Sequence, residues 1–291
     1  MTLMRKASFI ILFLATFGAM AQDDLLDILN ETAEEETRYT IATFKSTRLI
    51  NGQSIETRTE GVLEFLIGHR FGQVNSGFDE LFGLDNANIR FGFEYGITDD
   101  LNIGIGRSSF NKVFDGFLKY KLIKQSNELP LTVTLYSATT LNTNDFPLEN
   151  AGFKTVHRYA YTHQVLLARK FNPSFSFQLM PTYIHRNLVA TEEDANDLIS
   201  LGMGGRVKLN TRLAINAEWY PQFTEKSDSF RNAFAIGLDI ETGGHVFQLH
   251  LTNAQQMNEP GFIGETIGNF LDGDIHFGFN ISRVFNLRRE G

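Results

Sequence analysis

The sequence predicts an all-β protein: a single antiparallel up-and-down transmembrane β-barrel of about twelve strands, after a cleaved signal peptide and a short N-terminal segment. Three observations predict it. Segments of strict two-residue alternation recur from Glu60 onward, each rebuilding one apolar face. The gaps between them alternate between long and short. Mean hydropathy is near neutral although 42% of residues are apolar, as expected where every strand has one apolar and one polar face. Helices crossing a bilayer would instead need apolar runs of about 20 residues.

Taken in order, residues 1–21 read as the signal peptide. Arg5 and Lys6 precede an apolar stretch from Ala7 to Met20, and Ala19-Met20-Ala21 fits a small-x-small cleavage site, so Gln22 is expected to begin the mature chain. Residues 22–59 are expected to form a periplasmic N-terminal segment. Asp23 to Glu36 is acidic, with Leu25, Leu26, Ile28 and Leu29 at helical spacing. Tyr39 to Thr59 reads as two weak extended segments around the turn signal Asn51-Gly52, too polar to face lipid.

The barrel is expected over residues 60–291. Its clearest unit is Ile89–Ser109, where Ile89, Phe91, Phe93, Tyr95 and Ile97 alternate with Arg90, Gly92, Glu94 and Gly96. Thr98-Asp99-Asp100 breaks the run, and Leu101, Ile103 and Ile105 resume it against Asn102, Gly104 and Gly106. The same alternation marks strands near 60–71, 88–98, 100–109, 112–123, 130–141, 156–169, 174–187, 197–209, 212–223, 230–241, 245–254 and 273–285. The gaps 72–87, 142–155, 188–196 and 255–272 are long, and all follow odd strands. Those following even strands are short. Long loops on one side and short turns on the other describe an outer-membrane barrel with the long loops outside and both ends in the periplasm. Tyr95, Tyr120, Tyr159, Tyr161, Tyr183, Trp219 and Tyr220 are placed to form interface girdles. A secreted soluble sandwich is the alternative, but it would not need so many consecutive strands with one aromatic and aliphatic face.

There is no cysteine, so neither disulfides nor thiolate metal sites arise. Net charge is −8, and −10 once Arg5 and Lys6 leave with an otherwise uncharged residue 1–21 stretch. An acidic exported chain is a poor nucleic-acid partner.

Several stretches resemble a family of Bacteroidota outer-membrane β-barrel proteins known only as a domain of unknown function. They are GHRFG (68–72), ELFGLDNANIRFGFEYGITDDLNIGIGRSS (80–109), DGFLKYKL (115–122), PTYIHRNLV (181–189), LGMGGRVKL (201–209), ETGGHVFQLHLTNAQ (241–255) and GDIHFGFNISRVF (273–285). The resemblance covers roughly 42–287, including ATFKSTRLING at 42–52. It implies the barrel fold and carries no activity.

With apolar side chains toward lipid, parity points Glu64, Arg70, Arg90, Glu94, Asp115, Lys119, Arg158, Arg186, Glu218 and Arg231 into the lumen. Strand direction sets Arg70, Arg90, Arg158, Arg186 and Arg231 near the extracellular mouth, with Asp115 the main counter-charge. They form either a basic constriction for anionic solutes or pairs with loop carboxylates such as Asp79, Glu80, Glu192, Glu193 and Asp194. Gly92, Gly96, Gly104 and Gly106 share the lumen face. They either receive the backbone of Tyr39–Thr59 as a plug or only permit curvature. The His-Arg dipeptides at 69–70, 157–158 and 185–186 point their histidines outward, so no metal site is expected. No cofactor motif is present. His163 with Ser137 or Ser200 is an arrangement a hydrolase could use, but nothing in their spacing supports it.

The expected function is a narrow channel or binding barrel for small anionic or amphipathic solutes, seated in outer-membrane lipid. The alternative is a non-conducting barrel that docks periplasmic envelope proteins, and a membrane-embedded hydrolase is third. The channel reading predicts conductance that rises when residues 22–58 are removed.

Overall fold

The computed structural model describes residues 37–145, 152–189, 191–242 and 245–288. The expected signal peptide (1–21) and the acidic stretch 23–36 lie outside the described residues.

Twelve strands of eight to twelve residues close into one antiparallel barrel. They are β1 (Val62–Gln73), β2 (Ala87–Gly96), β3 (Leu101–Ser108), β4 (Val113–Ile123), β5 (Thr132–Asn142), β6 (Tyr159–Lys170), β7 (Phe175–Arg186), β8 (Asp197–Lys208), β9 (Leu213–Tyr220), β10 (Ala233–Thr242), β11 (His245–Thr252) and β12 (His276–Asn286). Each pairs with its sequence neighbours, and β1 pairs with β12 from Val62↔Asn286 to Gln73↔His276. Closure satisfies every strand edge, the condition for a sheet in hydrocarbon. Among the described residues, 74–86, 109–112, 143–145, 152–158, 187–189, 191–196, 221–232 and 253–275 lie at one end, and the turns 97–100, 124–131, 171–174 and 209–212 at the other.

Alternation sorts the faces. Phe93, Ile105, Leu118, Tyr183, Ile199 and Ile236 are exposed on the outside. Outward rings also stack across strands, as Phe65 on Phe93 at 4.9 Å between centroids.

The inside is divided. β1–β4 and β11–β12 point charged and amide side chains inward, among them Glu64, Arg70, Arg90, Asp115, Lys119, Gln248 and Asn280, all buried. β6–β9 instead turn Leu166, Met180, Ile184, Leu198 and Tyr220 inward, also buried. Two pieces of chain fill this interior. From the short-turn end enters the hairpin 43–56, turning at Leu49–Gly52 with Leu49 N–H donating to Gly52 O at 2.9 Å and Ser54 N–H to Thr47 O at 2.9 Å. From the long-loop end descends the loop 253–275, carrying a six-residue helix α1 (Glu259–Gly264) that is wholly buried. Asn258 caps α1 by accepting from Gly261 N–H at 3.0 Å, and Pro260 stands in its first turn. Phe262 and Ile263 join Met180, Ile184, Leu198 and Tyr220 in an apolar core together with Phe44, Leu49 and Ile55 of the hairpin. The Phe262 ring meets Tyr220 edge-on at 5.0 Å.

Candidate functional site

Polar side chains from both sides of the lumen grip the hairpin by its backbone. Glu218 accepts the consecutive N–H groups of Ile50, Asn51 and Gly52 at 3.3, 2.7 and 3.2 Å. A carboxylate in a nest of three N–H groups has its charge spread over fixed donors. Lys119 Nζ donates to Thr47 O at 3.2 Å and sits 3.2 Å from Glu94 Oε1. Glu64 accepts from Thr47 Oγ1 at 2.7 Å and pairs with Arg58 at 3.0 Å. Gln178 holds the hairpin's second strand, accepting from Ile55 N–H and donating to Gln53 O. Glu64, Glu94 and Glu218 thus stand in the lumen wall and serve the hairpin, Glu94 through Lys119.

Mid-lumen, the arginines separate. Arg90 lies against Asp115 at 2.5 Å, both fully enclosed. Arg70 holds three things at once. Its Nε donates to His250 Nε2 at 3.1 Å, its Nη1 to the carbonyls of Ala254 and Gln256 at 3.2 and 3.0 Å, and its Nη2 to Asn51 Oδ1. Beside it Glu259, the first residue of α1, accepts from Gln53 Nε2 at 3.1 Å and stands 3.7 Å from Arg48 Nη1. The cavity left between Arg48, Arg70, Arg90 and Asn280 is about 10 Å³, no more than one water occupies.

Above the packed zone, at the long-loop end, a vestibule remains open. Its first lobe, about 350 Å³, is lined by Arg158, Arg186, Phe110, Gln256, Asn258 and Glu265 among others. Arg186 is 4% exposed. Its Nη2 donates to Ala195 O at 2.6 Å, while Nε and Nη1 have no hydrogen-bond partner among the described residues. Its charge favours the ionised forms of the Asp194 and Glu265 carboxyl groups. Burial pushes the Glu265 carboxyl up, opposed by the Gln256 hydrogen bond at 2.8 Å and by Arg186. Arg158 donates to the carbonyls of Asn142 and Asn144 and covers the Phe153 ring at 5.2 Å. The second lobe, about 450 Å³, shares Phe110, Gln256 and Glu265 with the first.

Three expectations are corrected. Arg231 is exposed, and its guanidinium turns onto the carbonyls of Asp228 and Phe230. β10 begins at Ala233, so parity does not reach Arg231. The mouth arginines do not act as one group: Arg90 pairs with Asp115 within the wall, Arg70 donates to backbone carbonyls and to Asn51 and His250, and Arg186 acts on the Asp194 and Glu265 carboxylates. Of the four glycines, only Gly96 meets the hairpin's continuation, where a Cβ would collide with the Arg58 and Thr59 carbonyls. At Gly92 and Gly106 it would meet the Arg90 guanidinium, and at Gly104 the Phe117 ring. These three house wall side chains. Ser137 and His163 do adjoin, Oγ to Nδ1 at 3.0 Å, on the outward face of β5 and β6. Among the described residues nothing hydrogen-bonds His163 Nε2, so the ring lacks the orienting third group of a catalytic base.

Sequence reasoning missed α1 and Glu259. The one available signal was Asn258-Glu259-Pro260, a cap and first-turn proline ahead of Phe262-Ile263.

No curated relative matches the chain by sequence. Among solved structures it is similar to the NanC porin, at 11% identity over 78% of this chain and 100% of that one, TM-score 0.48. It is also similar to the outer membrane protein Omp33 of Acinetobacter baumannii, at 12% identity over 78% and 99%, TM-score 0.40. A triple-mutant porin of Rhodopseudomonas blastica matches at 14% identity over 68% and 55%, TM-score 0.35. The fold rests on the chain's own strand pairing, to which these likenesses add no residue correspondence. Residues 44–285 match the family described as membrane bound beta barrel domain (DUF5777).

Proposed function

The chain belongs to this membrane-bound β-barrel family, and from that premise we propose that it sits in the outer membrane, long loops outward, and binds a small anionic solute in its vestibule. In this reading the lumen is a packed support for the binding surface and does not serve as an open pore. The two-sided filling by the hairpin and α1 supports it, as does the 10 Å³ left between Arg70 and Arg90. Alternation of long loops and short turns supports the orientation.

The observation that carries the reading is Arg186. A guanidinium 4% exposed with two donor nitrogens unpaired among the described residues is costly, at about 1–3 kcal/mol for each buried donor left unmet. An oxyanion in the adjoining lobe that draws the guanidinium toward it would supply these donors with an acceptor, and charge-assisted bonds of this kind are the strong ones. The test is calorimetric titration of the full chain in detergent with inorganic sulfate and acetate. Saturable binding that Arg186→Gln weakens by about tenfold or more, with the variant's folded electrophoretic mobility intact, is the expected result. Equal binding by both proteins, or none, would overturn it.

A further inference from the structure

The two vestibule lobes differ in chemistry, and the difference names a ligand class. The first lobe carries the cationic groups, Arg158 and Arg186. The second is lined by amides: Gln73, Asn86, Asn88, Asn253, Gln255 and Gln256. Some of these are already engaged. Asn86 donates to Glu80 at 2.9 Å, and Asn253 donates to Gly268 O at 2.8 Å and to Asn232 O. Gln73, Asn88 and Gln255 are half-buried and carry no side-chain hydrogen bond among the described residues. Each amide offers two N–H donors and a carbonyl acceptor at fixed spacing, which suits groups that both donate and accept, hydroxyls above all.

Between the lobes stand Phe110 and Glu265, common to both linings. The ring gives an apolar surface against which a C–H face can rest. The carboxyl group accepts from hydroxyls when ionised and repels a second anionic group. Glu80 also lines the second lobe, whose described lining holds no arginine or lysine, so a negative charge on the ligand belongs in the arginine lobe, and the part that reaches the amide lobe must be neutral and polar.

We propose that the vestibule takes a monoanionic polyhydroxylated acid, an acidic sugar whose carboxylate meets Arg186 and whose hydroxyls reach Asn88 and Gln255. Volumes of about 350 and 450 Å³ suit one sugar ring or acid unit in each lobe, within the usual range of about 300–1,000 Å³ for small-molecule sites. The inference rests on the vestibule being an anion site and adds the neutral half of the ligand.

The experiment titrates the full chain in detergent with lactobionate, a galactose joined to a monoanionic sugar acid, against lactose and propionate, which carry one half of the chemistry each. Lactobionate is expected to bind about tenfold or more tighter than either. Arg186→Gln should abolish that gain. The double variant Asn88→Ala, Gln255→Ala should weaken lactobionate severalfold and leave propionate unchanged, so that a general folding defect cannot mimic the result. If propionate binds as tightly as lactobionate and the double variant is silent, the anion site stands and the sugar class falls. If neither lactobionate nor propionate binds, or Arg186→Gln changes nothing, both fall.

Discussion

At the scale of single residues, the lumen shows how costly charges are held. Arg90 and Asp115 are sealed from solvent in a space opened by Gly92 and Gly106. Removing one partner strands the other, so Arg90→Ala should destabilise the barrel by about 3–5 kcal/mol. Replacing both, as Arg90→Met with Asp115→Leu, should recover most of that loss. Urea unfolding in detergent micelles checks both. Glu218 is a different case, because its partners are three backbone N–H groups at the turn of the hairpin. Glu218→Ala should loosen that turn while Lys119, Glu64 and Gln178 keep the rest of the hairpin and the strands hold. Faster amide exchange at Ile50, Asn51 and Gly52 is the expected outcome, with strand exchange unchanged. What was readable here was direction. Alternation beside Phe65, Phe91 and Leu118 pointed Glu64, Arg90 and Lys119 inward. Parity says nothing of reach or partner, and so left open that Arg90 finds Asp115 while Arg70 finds carbonyls.

At the scale of elements, the strands were legible because each repeats one rule over many residues. β7 alternates Phe175, Phe177 and Leu179 against Ser176, Gln178 and Met180 from end to end. α1 was illegible for the opposite reason: six residues span too few turns to show a period, and its burial depends on Tyr220 and Met180, far away in sequence. The long loops are tied to one another as well. Asp194 in the β7–β8 loop accepts from Thr191 N–H and Oγ1, and from Ser227 N–H of the β9–β10 loop at 2.9 Å. Burial would raise its carboxyl, but these hydrogen bonds outweigh burial and hold it below the ordinary range. A depressed folded-state pKa means the tie is fully present above the unfolded value of about 3.9 and fails as pH falls through the lower folded value. Protection of the Ser227 amide, corrected for intrinsic exchange rate, should therefore hold at neutral pH and collapse only in strong acid. In Asp194→Asn it should be weaker already at neutral pH.

At the scale of the whole molecule, the barrel's size does not decide whether it conducts. Eight strands fill with side chains and sixteen or more leave a water channel, and here the chain fills the difference itself. The sequence led to the expectation that removing residues 22–58 raises conductance. The structure changes that expectation, because α1 stands in the lumen beside the hairpin, with Phe262 and Ile263 fully buried, and belongs to a different segment of the chain. In a planar bilayer, the full chain and the 22–58 deletion should both lack a steady current. Current should appear when residues 256–266 are also replaced by a short Gly-Ser linker. A steady current from the full chain would sink the occluded-barrel reading.

Arg70 lies where these scales meet. One guanidinium holds the carbonyls of Ala254 and Gln256 from above and the Asn51 side chain from below. Any occupant of the vestibule that displaces the upper loop alters the same set of bonds that keeps the hairpin in place. Such coupling is reciprocal by thermodynamic necessity. In the proposed orientation, a protein that pulled the hairpin toward the periplasm would change the affinity of the outer surface by the same factor by which an outer ligand changes that protein's grip. The barrel would then link what is bound on one side of the membrane to what is bound on the other without passing a solute between them.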